Sequence, residues 1–209
     1  MATEKKYLSL NYKGELTEYS KEEKEGFLKK ESSKGNVGYY KFYDKGVEGK
    51  LSSVSERTNE KINNRKEISI TVYDDKNNIT YYISTEVKSQ YAPFTTMAES
   101  IIKQLPAIKT DYVYKFSPYY VEKEWKNDTK SGINKYAGLS ISFLGEKVEK
   151  VSMEGVQKYE YCDVEEKNVI SKEYKLFFKN LLKDNCERLA WKGVESVEKT
   201  FSEDDDVPF

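Results

Sequence analysis

At 209 residues, with 34% charged and 37% hydrophobic side chains and 18 Tyr, the chain has material for one well-buried core with additions and too many aromatic and β-branched residues to stay unfolded throughout. It has no His, and Cys162 and Cys186 stand 24 positions apart, which removes imidazole bases, His-based triads and the usual zinc sites and leaves only carboxylates for catalysis. The formal net charge of −1 hides an asymmetry: residues 195–209 are net −5, so the first 194 carry +4, the pattern of a polyanion-binding surface joined to an acidic arm.

No run of about 18 apolar residues is present, and "MATEKKYLSL" lacks the apolar centre of a signal peptide, so the expectation is a cytoplasmic protein with no membrane contact. No nucleotide-binding glycine loop and no metal-binding acidic motif occurs, so the expectation is a non-enzyme that needs no cofactor.

In chain order, "YLSLNYKGELTEY" predicts a short extra strand or hairpin, and "SKEEKEGFLKKESSKG" a charged linker or exposed helix. "VGYYKFYDK" and "VEGKLSSVSERT" read as strands, the second spanning about 47–57. "EISITVYD" places Ile68, Ile70 and Val72 on one face, "ITYYISTEV" does the same with Ile79, Tyr81 and Ile83, and "DDKNN" turns between them. In "FTTMAESIIKQL" the apolar residues follow helical spacing until Pro106. "DYVYKFSPYY" and "YAGLSISFLG" alternate again, and "SKEYKLFFKNLLKDNCERLAW" predicts an amphipathic helix with Ser171 as N-cap and Tyr174, Phe177, Phe178, Leu181, Leu182 and Leu189 in its stripe. The stripe is expected to pack on the barrel, a homodimer contact being the alternative.

Five strands with a helix between the third and fourth give the order β-β-β-α-β-β, that of the OB-fold. The expected architecture is therefore mainly β: an OB-fold barrel with an N-terminal strand or hairpin extension and a C-terminal amphipathic helix over residues 1–194, then a flexible acidic tail over 195–209. OB-folds bind oligonucleotides across strands 2 and 3 and with the loops after strands 1 and 4. Here the first loop, "RTNEKINNRK", carries Arg57, Lys61, Arg65 and Lys66 against Glu60. The second, "VEKEWKNDTKSGINKY", sets Lys123, Lys126, Lys130 and Lys135 around Trp125. Cations that follow phosphates beside rings that stack on unpaired bases are the requirement for binding single strands. With Ile68, Ile70 and Val72 inward, Ser69, Thr71 and Tyr73 face outward, as do Thr80, Tyr82 and Ser84 on the partner strand. The expected DNA contacts are Arg57, Lys61, Arg65, Lys66, Tyr73, Tyr82, Lys123, Trp125, Lys126 and Lys130.

The last six residues, Asp204, Asp205, Asp206, Val207, Pro208 and Phe209, resemble the C-terminal tip of bacterial single-stranded DNA-binding proteins, typically Asp-Asp-Asp-Ile-Pro-Phe. The body, in "YLSLNYKGEL", "GVEGKLSSV" and "YAGLSISFLGEKV", is more similar to the bacteriophage members, and it lacks the long Gly, Gln and Pro-rich linker of the bacterial ones. The resemblance implies an OB-fold that coats single-stranded DNA in replication, recombination and repair inside a bacterial host. It further implies a tip that recruits replication and repair proteins, with Phe209 entering an apolar pocket on the partner. An anionic tail next to a cationic groove also competes with DNA for it. The readings left open are a replication adaptor with incidental nucleic-acid contact, a metal-dependent nuclease on the same barrel, and an RNA-binding OB protein.

Overall fold

Period-two alternation sets most of the chain into strands, and the computed structural model describes residues 3–31, 35–60, 64–87, 94–127, 129–162 and 167–189. The N-terminal part forms β1 (Glu4–Leu10), β2 (Leu16–Ser20), β3 (Leu28–Glu31) and β4 (Val37–Phe42). The centre forms β5 (Val47–Asn59), β6 (Arg65–Asp74), β7 (Ile79–Glu86), α1 (Thr96–Ile102), β8 (Val113–Lys126) and β9 (Ser131–Phe143). A short β10 (Glu146–Lys147), a separate ribbon of β11 (Tyr159–Cys162) and β12 (Lys167–Ile170), and α2 (Lys172–Arg188) complete it.

Strands β1 to β10 join in one sheet with the order β10-β9-β8-β5-β6-β7-β1-β2-β4-β3. Every neighbouring pair is antiparallel except β1 and β7, which run parallel from Glu4 opposite Ile79 to Ser9 opposite Ser84. The expected succession of five strands around a helix is present as β5, β6, β7, α1, β8 and β9, but the sheet is not closed into a barrel. The edges explain why. The outer edge of β7 is occupied by β1. The outer edge of β9 is met by α1: Leu139 N donates to Ser100 Oγ (3.2 Å), Ile141 N to Gln104 Oε1 (2.9 Å), and Gln104 Nε2 to Leu139 O (2.7 Å). The other end of the helix is tied to β7, since Thr95, its N-cap, donates its hydroxyl to Glu86 O (2.6 Å) and its N–H to Val87 O (2.7 Å). A helix thus satisfies backbone groups that a closing strand pair would otherwise satisfy.

The sheet curls around its apolar face. Gly14, in the turn between β1 and β2, has φ 68° and packs so tightly on the backbone of Tyr119 that no side chain fits there, which brings the N-terminal hairpin against β8. Inside the curl lie Leu8, Leu10, Leu51, Ile68, Ile70, Val72, Ile83, Phe116, Leu139 and Ile141, with Ile101, Ile102 and Leu105 from the α1 region. α2 closes this core from the α1 side and the end of β5. Its stripe divides as the spacing predicts, with Tyr174, Phe178, Leu182 and Leu189 buried and Phe177 and Leu181 half-buried against the same cluster. Ser171 Oγ accepts from Tyr174 N (3.0 Å), the expected N-cap, and Arg188 holds the far end by donating to the carbonyls of Leu105 (2.7 Å) and Ile108 (2.9 Å).

Two further expectations are corrected. Within residues 20–35 the charged segment contains neither an exposed helix nor only linker, because Leu28–Glu31 pairs with β4 as an edge strand, its Lys29 and Lys30 supplying the charge that keeps such an edge from pairing further. The two cationic "loops" are mostly ladder: Arg57 pairs with Glu67 and Asn59 with Arg65, while Val121 to Lys126 pair with Tyr136 to Ser131. These ribbons run past the core, so both of their faces meet water and the apolar alternation that marks a strand is lost.

Candidate nucleic-acid interface

Register decides which of the expected residues share a face. Tyr73 stands opposite Lys50 and Thr80, and Lys50 opposite Val113, so this face continues along β8 through Lys115, Ser117, Tyr119, Val121, Lys123 and Trp125. On β6 it continues through Thr71, Ser69 and Glu67 to Arg65, with Arg57 opposite Glu67, and on β7 and β1 it holds Tyr82 and Tyr7. Arg57, Arg65, Tyr73, Tyr82, Lys123 and Trp125 therefore lie on one face, while Lys66 and Lys126 fall on alternate register positions. Since β5 and β8 are antiparallel, the β5–β6 and β8–β9 ribbons leave their shared rungs in opposite directions. The cations flank the face at its two ends instead of forming one cluster.

At the β5–β6 end the two arginines converge on one carboxylate. Arg57 donates Nε and Nη2 to Glu67 Oε2 at 3.1 and 2.9 Å, and Arg65 donates Nε and Nη2 to Oε1 at 3.0 and 2.6 Å. The Glu67 side chain is 2% exposed. Its burial pushes the carboxyl pKa up, but the hydrogen bonds and charges of Arg65 and Arg57 outweigh this and hold it below the ordinary value. One charge of the pair is thus neutralised and both guanidinium planes are fixed, leaving a net single cation in a set orientation. Lys66 is exposed and lies 3.5 Å from Glu56.

In the middle, Ser69 and Thr71 are buried although their register is outward, with Ser53 Oγ donating to Thr71 Oγ1 at 2.9 Å. These short hydroxyls lie beneath the neighbouring tyrosines. Tyr82 stacks on Tyr7 at a centroid distance of 5.0 Å and an angle of 13°, with Tyr7 still 43% exposed. Tyr73 is half-buried and donates to Asn78 Oδ1 (3.3 Å).

At the β8–β9 end Trp125 is 39% exposed on its strand, opposite Gly132. The indole lies over this glycine, for a Cβ at 132 would come within 2.9 Å of Nε1. Lys123 sits with its ammonium 6.0 Å from the Tyr136 ring centroid. Lys126 and Lys130 are exposed, and Asn127 shapes the turn between them by accepting from Lys130 N at 2.7 Å. On the opposite face Lys135 pairs with Glu122 at 3.5 Å, and Tyr120 donates to the same carboxylate at 2.7 Å.

The pairings also bring in residues that the sequence reading did not select. Tyr7 arrives through the parallel β1–β7 pairing, and Tyr119 and Tyr136 through the β8–β9 ladder. Lys147 and Lys150 arrive because the chain after β9 turns back along its edge, where Val148 N donates to Ile141 O (2.9 Å). Alternation in "YLSLNY" could have marked Tyr7, whereas nothing local marks the two lysines.

Lys61 and the tip Asp204, Asp205, Asp206, Val207, Pro208 and Phe209 lie outside the described residues, as does the whole segment 195–209. Among the described residues no helix is long and apolar enough to cross a membrane. Compared with protein-family models, curated proteins and solved structures, the chain finds no match, so its function is argued from its own residues.

Proposed function

We propose that this protein coats single-stranded DNA without sequence preference, in the manner of a bacteriophage single-stranded DNA-binding protein acting in replication, recombination and repair. The observation that carries the reading is the single register face on which Arg57, Arg65 and Lys123 occur with Tyr73, Tyr82 and Trp125. Ammonium and guanidinium groups at the two ends follow phosphates, and half-exposed rings between and beside them stack on bases of any identity. On this reading β5 to β9 with α1 constitute an OB-fold whose seam between its third and fifth strands is filled by β1 on one side and α1 on the other. The acidic tip Asp204–Phe209 recruits replication and repair proteins and, while the groove is empty, competes for it. The protein performs no catalysis in this role and works in the cytoplasm of a bacterial host.

The test is a titration of intrinsic Trp and Tyr fluorescence with oligo-dT at several salt concentrations, with oligo-rU and duplex DNA in parallel. Binding should weaken steeply with salt and favour the DNA single strand. A salt-independent signal, or equal affinity for duplex, would sink the proposal; tighter binding of oligo-rU would make RNA the ligand.

A further inference from the structure

A concave pocket of ≈ 620 Å³ opens between the β8–β9 ladder and the returning segment 147–150. Its lining includes Tyr119, Lys123 and Tyr136 from the ladder and Lys147, Val148 and Lys150 from the return, and it contains no carboxylate. The Lys123 ammonium lies 6.0 Å from the Tyr136 centroid and that of Lys150 6.0 Å from Tyr119. No carboxylate among the described residues bridges to Lys123, Lys147 or Lys150. Burial, and after it the charges of Lys103 and Lys147, holds the Lys150 ammonium below the usual lysine range. Three cations that repel one another around a cavity lined by two phenol rings are relieved by an anion that also brings a flat apolar surface. A nucleotide has both parts. The volume falls within the usual range of small-ligand sites.

We propose that this pocket is a nucleotide site, with one phosphate among Lys123, Lys147 and Lys150 and its base against Tyr119 and Tyr136. The inference rests on the single-strand reading and extends it: a strand following the face is fixed at one defined nucleotide beside Trp125, not held evenly along its length.

The experiment is an acetylation footprint of the full chain, read lysine by lysine by peptide mass spectrometry, free and with oligo-dT or thymidine 5′-monophosphate. Both ligands should lower modification of Lys123, Lys147 and Lys150 several-fold and leave Lys179 and Lys183 of α2 unchanged. The variant Lys147→Ala/Lys150→Ala, at exposed positions, should flatten the slope of log K against log salt by about 1.4, at about 0.7 per lost phosphate contact on a single strand. If oligo-dT binds while the three lysines react as in the free protein and the slope is unaltered, the pocket is refuted and the strand-binding reading stands. If oligo-dT fails to bind but the mononucleotide protects the lysines, the strand-binding reading fails and the pocket stands. Protection by neither, or by an acidic peptide of sequence EDDDVPF in place of both nucleotides, overturns the pocket.

Discussion

Replacing Glu67 by glutamine removes the charge that organises the arginine end of the face. The carboxylate, 2% exposed, accepts two bonds from each arginine at 2.6–3.1 Å and a fifth from Asn59 Nδ2 at 3.3 Å. Glutamine preserves the outline but offers one acceptor oxygen, and its amide turns donors toward a guanidinium that can only donate. Losing one partner of a fully buried pair costs about 3–5 kcal/mol. Arg57 and Arg65 are 40% and 25% exposed and can regain water, so the expected loss is about 2 kcal/mol. In a chain of this size that is a fall in Tm of about 4–8 °C. Thermal unfolding by circular dichroism at pH 7 measures it. Glu56→Gln, which breaks only the exposed 3.5 Å pair with Lys66, is the control and should stay within about 0.5 kcal/mol. A Glu67→Gln loss below about 0.5 kcal/mol would refute the reasoning. The pH dependence is a second check. Because the folded-state pKa of Glu67 is held down, its contribution is complete above the unfolded-state pKa and disappears as pH falls through the lower folded value. Wild type and E67Q should therefore converge in acid and separate toward neutrality.

Trp125→Ala should weaken oligo-dT binding by the worth of one base stack, about 1–3 kcal/mol or about 5- to 150-fold in Kd. Gly132→Val should reproduce part of that loss with the indole retained, since its Cβ would displace the ring; unchanged titrations for both would place the DNA elsewhere. Deleting residues 203–209 should preserve or raise oligo-dT affinity while ending capture of replication partners in pull-downs, and a drop in affinity would contradict competition by the tail. Phe178→Ala should cost about 3–5 kcal/mol in denaturant unfolding, because the ring is fully buried with Phe94, Tyr174 and Phe177 at 5.0–5.3 Å. A loss near 1 kcal/mol would mean that α2 is not part of the core.

What was legible in the sequence was what neighbours in the chain decide. The alternation of Ile68, Ile70 and Val72 against Tyr73 gave the β6–β7 hairpin and the outward side of Tyr73 and Tyr82, and the spacing from Tyr174 to Leu189 gave α2 and its buried stripe. Edge choice was not legible, because nothing in "EKKYLSL" distinguishes pairing with β7 from free extension, and nothing in Ser100 or Gln104 announces that they will serve the edge of β9. The ribbons carrying Arg57 and Trp125 read as loops because strands that outrun a core lose the contrast between their faces. Arg57 and Arg65 read as independent cations, because Glu67 was counted as the first residue of a strand and not as their shared anion.

The parallel union of β1 with β7 also constrains how the molecule is assembled. Thr3 and Asn78, bonded at 3.2 Å, are 75 positions apart, so at about 5–20 residues per second the N-terminal strand leaves the ribosome several seconds before its mate exists. The β5–β6 and β6–β7 hairpins close from short-range contacts and can form in that interval. β1 then docks as the last staple along an edge already built. Shortening the N-terminus should consequently leave the hairpins intact while baring a sticky strand margin, so the first symptom would be self-association and not unfolding.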